Sequence, residues 1–129
     1  MDDKKHHLIQ QYFDDFTDAF ASFDGQRVAA KFSFPYMAKS AGEDRLVFHT
    51  ERELGEYFQR YLDEYRQQGC RQCRYSNLTV AWIGSDCAVA SVDWTLTDGG
   101  GQEIMSWSES YTLLFREGRA LAFVSVDHP

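Results

Sequence analysis

Apolar residues recur at helical spacing through the first part of the chain: Ile9, Tyr12, Phe13, Phe16, Phe20 and Phe23. That stripe predicts an amphipathic helix from Lys5 to Phe23, with Asp14, Asp15 and Asp18 on its solvated side. The stretch "SFDGQ" interrupts it, and Asp24 is placed as the N-cap of a second, short helix running through Val28 to Phe32. Pro35 in "FSFPYM" disfavours a helical Phe34 and closes that element. "RLVFH", Arg45 to His49, reads as a short strand. "TERELGEYFQRYLDEYRQQG" then opens on Thr50 and Glu53 at capping-box spacing. Its apolar face is Leu54, Tyr57, Phe58, Tyr61, Leu62 and Tyr65, and Gly69 stops it.

From Arg74 the period changes from helical to alternating. "RYSNLTVAWIG" ends at the turn Gly84–Ser85–Asp86, and "CAVASVDWTLT" puts Ala88, Ala90, Val92, Trp94 and Leu96 on one face. "DGGG" returns the chain into residues 102–116, and "REGRA" returns it again into "ALAFVSVD". Three helices followed by a meander of long strands make an α+β order, with the helices packed against one face of a mainly antiparallel sheet. No repeat, low-complexity stretch or linker divides the chain, so a single domain over residues 1–129 is expected.

Composition narrows the function classes. Thirteen Lys and Arg against 20 Asp and Glu leave a formal charge of −7, and no basic stripe interrupts it. Such a field repels phosphate backbones and anionic membranes, so neither nucleic acid nor membrane is expected as a partner. There is no apolar run of signal-peptide or membrane-spanning length, and an odd number of cysteines, three, fits a reducing compartment. A cytoplasmic protein is the expectation. Cys70 and Cys73 form a lone CxxC behind a helix, without the further ligands a zinc site requires, so no metal and no cofactor is expected.

The candidate chemistry sits in "MSWSESYTLLF". Met105, Trp107, Glu109, Tyr111, Leu113 and Phe115 share one parity, so a regular strand points them all to one face. Glu109 would then be a carboxyl group between aromatic side chains, where burial raises its pKa and suits it to acid–base work. The alternatives are a β-bulge near Trp107 that turns it to solvent, or a salt bridge to Arg45 or Arg74. His49 and His128, each at a strand end, would complete an acid–base set if all three reached one cavity; a histidine satisfied at a sheet edge is the simpler reading of each.

The order helix–helix–strand–helix–four strands, with "FSFPYM", "IGSDCAVASVDWTLTDGGG", "YTLLFREGR" and a closing "VDH", resembles the SnoaL-like, ketosteroid-isomerase-like superfamily. The resemblance covers nearly the whole chain. It implies the cone-shaped fold of nuclear transport factor two, three N-terminal helices on a strongly curved mixed sheet, and a member without assigned activity. Steroid isomerases of this kind place an Asp-Pro pair after helix two, and here Phe34–Pro35 stands in its place, so that reaction is not expected.

The resemblance also implies a cavity at the open end of the cone, lined by Phe16, Phe20, Tyr36, Tyr57, Tyr61, Trp94, Trp107 and Tyr111, with Ala120 and Ala122 leaving room inside. Tyr36, Tyr57, Tyr61, Trp94, Trp107 and Tyr111 are the candidate ligand contacts. An aromatic lining of that kind suits an apolar or aromatic small molecule. A cofactor-independent isomerase, cyclase or dehydratase acting on such a ring compound is one expectation. A non-catalytic association module using the polar sheet face (Ser91, Asp93, Thr95, Ser106, Ser108, Ser110 and Thr112) is the other. A homodimer through that face is expected under either.

Overall fold

The computed structural model describes residues 3–129. Helix α1 (Asp3–Ala21) buries Ile9, Tyr12, Phe13, Phe16, Ala19 and Phe20, the predicted stripe. Helix α2 (Gly25–Ala29) starts where expected, with the Asp24 carboxylate accepting from the Gln26 backbone N–H at 3.0 Å. It ends at Ala29 rather than Phe32, because Phe32 already opens a strand, β1 (Phe32–Lys39), that the hydrophobic pattern did not disclose. Pro35 is tolerated within β1 because pairing with the neighbouring strand lapses between Phe32 and Met37, where a missing N–H breaks no ladder bond.

After β2 (Leu46–Phe48), helix α3 (Glu51–Gln67) carries the predicted capping box: Thr50 Oγ1 accepts from the Glu53 N–H at 3.1 Å, and Glu53 Oε1 accepts from the Thr50 N–H at 3.3 Å. Helix α2 lies directly on α3. The Gly25 N–H donates to Gln59 Oε1 at 2.7 Å, and Gln59 Nε2 donates back to the Phe23 carbonyl at 2.9 Å. The backbones approach so closely that a Cβ on Gly25 would overlap the Gly55 carbonyl oxygen and lie 2.8 Å from the Gln59 nitrogen.

The strands β3 (Cys70–Ile83), β4 (Cys87–Asp98), β5 (Glu103–Arg116) and β6 (Arg119–His128) complete an open six-stranded sheet of order β2-β1-β6-β5-β4-β3. Only β1 and β6 run parallel. β3 begins at Cys70, ahead of the predicted Arg74, so Cys70 and Cys73 lie in a strand, both as free thiols. The face toward the helices is the predicted one on β4: Ala88, Ala90, Val92, Trp94 and Leu96 are all buried.

The sheet's register shifts at several points, and two of them bear on its shape here. One in β3 centres on Asn77, whose φ is 56°. The other lies in β6: Leu113 pairs with Ala122 but Thr112 pairs with Val124, so Phe123 is the extra residue. Ala120 and Ala122 face the core before this bulge, and Ser125 and Asp127 face it afterwards. An inserted residue exchanges which parity of the strand points inward.

Candidate functional site

A cavity of about 320 Å³ lies between α1, α3 and the concave sheet face. Tyr61, 40% exposed, and Glu43 mark its mouth; Tyr36, Trp94, Tyr111 and Ser125, all buried, mark its floor. All six predicted ligand contacts line it, as do Phe16 and Phe20. Ala120 and Ala122 do not: they are buried in the core and form no part of its lining.

Glu109 projects into this cavity. The β4–β5 register runs without interruption from Leu96–Met105 through Trp94–Trp107 and Val92–Glu109 to Ala90–Tyr111, so no bulge turns the carboxyl group outward. The shared face holds along the strand: Phe115 is half-buried against the core with Trp82, and only Met105 at the far end is exposed. No salt bridge to Arg45 or Arg74 forms; the ion pairs among the described residues are Lys31–Asp15 and Arg52–Glu56.

Instead Glu109 Oε1 accepts from Trp107 Nε1 at 3.0 Å, and Asp127 lies across the β5–β6 ladder from it, close enough to share a proton. Burial, and then the charge of Asp127, push the Glu109 carboxyl up to about 8. Trp107 and Ser125, which donate to it, pull the other way. Ser125 Oγ also lies 2.5 Å from the Tyr36 hydroxyl, which places both groups on the cavity floor beside Glu109. Asp127 Oδ2 accepts in turn from Ser40 Oγ at 3.1 Å.

The phenols around the pair are held protonated. Burial foremost, then the neighbouring acids and phenols, raise Tyr36 and Tyr111 well above the ordinary tyrosine range, and Tyr65 is pushed up to about 12. Tyr111 accepts from Trp94 Nε1 at 2.8 Å, which leaves its own proton free to donate. The Tyr12 hydroxyl is the one buried side-chain polar atom among the described residues without a partner.

The two histidines do not join this group. His49 is exposed at the start of α3, where its backbone N–H donates to Glu53 Oε1 at 3.1 Å. His128 lies on the other face of the sheet, with Nε2 3.0 Å from Ser110 Oγ, because the Phe123 bulge turns Asp127 inward in its place. Sequence reasoning thus passed over Asp127, Ser125 and Ser40. For Asp127 and Ser125 the only signal was the pairing of β6 with β5, which alternation along one strand does not reveal; Ser40 enters through its bond to Asp127. Among the described residues no three His, Cys, Asp or Glu side chains gather as a metal site, and no helix is long and apolar enough to cross a membrane.

An open, curved α+β sheet with helices over one face and an acidic, aromatic cavity between them defines a cone-fold protein. Residues 3–127 match the family described as NTF2-like protein (DUF6841), and the chain belongs to that family. Solved structures show the same architecture. An NTF2-like protein with a cystatin-like fold from Novosphingobium aromaticivorans superposes with a TM-score of 0.76 at 12% identity, over 95% of this chain and 79% of that one. Aln2 from a Streptomyces species gives 0.76 at 13%, over 95% and 88%. An NTF-2 like protein of unknown function from Shewanella oneidensis gives 0.72 at 11%, over 95% and 98%. At these identities the likeness is one of fold. No curated protein matches the chain.

Proposed function

We propose that the protein binds a small, mostly apolar ring compound in the cone and exchanges a proton with it through Glu109, as a cofactor-independent isomerase, cyclase or dehydratase would. What carries this reading is the Glu109–Asp127 pair, which sits in an aromatic cavity without a counter-charge. A fold selected for stability alone gains nothing from such a pair. Two carboxyl groups sharing one proton supply an acid and a base at the same point. Trp107 Nε1 fixes the orientation of Glu109, Ser125 and Tyr36 lie beside it on the cavity floor, and Tyr111 offers a donor to a ligand oxygen. The volume is at the small end of ligand sites, which run from roughly 300 to 1,000 Å³, and suits a compound of two or three rings.

A thermal-shift screen of aromatic and polycyclic compounds tests it, comparing wild type with Trp107→Ala and Glu109→Gln. Compounds that stabilise wild type but not Trp107→Ala support the cavity as the binding site. Turnover that persists unchanged in Glu109→Gln excludes the acid–base role, and a screen in which no ring compound shifts the wild type removes the binding site itself.

A second reading, compatible with the first, is self-association through the outer sheet face. Its side chains are short and already paired with one another: Ser91 Oγ lies 2.7 Å from Ser110 Oγ, and Ser108 Oγ donates to Asp93 Oδ1 at 2.6 Å. A flat surface whose polar groups are satisfied internally can be covered at little desolvation cost.

A further inference from the structure

Three carboxyl groups, Glu43, Asp127 and Glu109, line the cavity, and no Lys, Arg or His side chain does. Lys31 sits 4.8 Å over the Tyr12 ring, outside the lining, and is held by Asp15 at 3.6 Å. Between the mouth and the floor the walls are aromatic faces, chiefly Tyr57, Tyr61 and Tyr65 on α3 and Trp107 on β5. We propose that the ligand is a cationic ring compound, a protonated amine or basic heterocycle on an apolar frame, whose charge settles between Glu109 and Asp127. This rests on the reading of the cavity as a small-molecule site and names the class of compound it takes.

Two half-buried carboxyl groups side by side repel one another when ionised, and no cationic side chain of the cavity lining offsets this. A ligand ammonium does so. The aromatic faces then attract the same charge that the carboxylates neutralise, whereas an anion meets like charge on every side. A donor for the ionised carboxylate is already in place, Trp107 Nε1, 3.0 Å from Glu109 Oε1. The titratable groups facing Glu109 are Asp127 on β6, Tyr36 on β1, Tyr12 on α1, Tyr111 on β5 and Tyr65 on α3, with Glu43 and Cys73 also on the cavity wall. The phenols and the Cys73 thiol all stay neutral near pH 7, which leaves the carboxyl pair to give up the proton. The step balances simply: the ligand arrives as its cation, Glu109 ionises, and one proton passes to the buffer.

The test uses three probes of one shape: 1-naphthylmethylamine (cation), 1-naphthalenemethanol (neutral) and 1-naphthoate (anion). Calorimetry is run near pH 7 in two buffers of different ionisation enthalpy. The amine is expected to bind at least about tenfold more tightly than the alcohol, a difference the combined cation–π and ion-pair attractions readily supply. The anion is expected not to bind. Each amine bound should release close to one proton, and that release should vanish in Glu109→Gln, whose side chain still accepts from Trp107. An alcohol that binds as tightly as the amine, or amine binding without proton release, overturns the cationic ligand while leaving the cavity a small-molecule site. If none of the three binds at millimolar concentration, the small-molecule site fails with it.

Discussion

Glu109 keeps its proton up to about pH 8 in the folded protein, against an ordinary value of 4.5. Between those values the native state binds more protons than the unfolded chain, so stability falls as pH rises through that window. Below it the carboxyl is neutral in both states and costs nothing. Glu109→Gln should therefore leave stability near pH 4 almost unchanged and raise it near pH 8.5 by about 1–3 kcal/mol, since each tenfold change in proton affinity carries about 1.4 kcal/mol and water reaching the cavity screens part of it. Urea denaturation of both proteins at the two pH values decides this, and a variant that is less stable at both would contradict it. The same residue shows what the sequence discloses at this scale. Glu109 was legible because β5 alternates regularly through it. Asp127 was not: Ala120 and Ala122 point inward, and unbroken alternation from them leads to His128. One extra residue at Phe123 changes which neighbour reaches the cavity.

The helices were legible because each carries its own signals, a stripe and a cap, within a few turns of chain. β1 was not, since "FSFPYMAK" becomes a strand through pairing with β2 and β6, and propensity is silent on partners that distant. The junction of α2 and α3 makes an element-scale prediction. Gly25→Ala drives a methyl into the Gly55 carbonyl and the Gln59 backbone, neither of which can yield, and should cost about 2–3 kcal/mol by overpacking. Gly55→Ala meets only the Gln26 side chain, which is exposed and free to swing aside, and the helix gains up to about 1 kcal/mol from losing a glycine. The second variant should thus stay within about 1 kcal/mol of wild type. Thermal melts of the pair check the contrast, and equal losses would mean the two helices do not meet as described.

For the whole molecule, the proposed sheet-face dimer predicts sedimentation at micromolar concentration as a species of twice the 14.9 kDa chain. Ser110→Arg, a charge placed amid Ser91 and His128, should return it to the single-chain mass without loss of helix signal. A wild type that sediments as one chain at all concentrations removes the dimer. β6, the last strand in chain order, lies near the middle of the sheet, between β1 and β5. The meander β3–β4–β5 can zip from neighbouring turns, but β1 and β2 have no route into the sheet until β6 arrives to receive them. The same strand brings Asp127 and Ser125 to Glu109. Assembly thus has a hinge in time: an early three-strand half with an unfinished binding site, then one long-range closure that completes sheet and site together. Pulse-labelled hydrogen exchange during refolding should find β4 and β5 amides protected before those of β1, and the onset of ligand binding should follow β1 rather than β4.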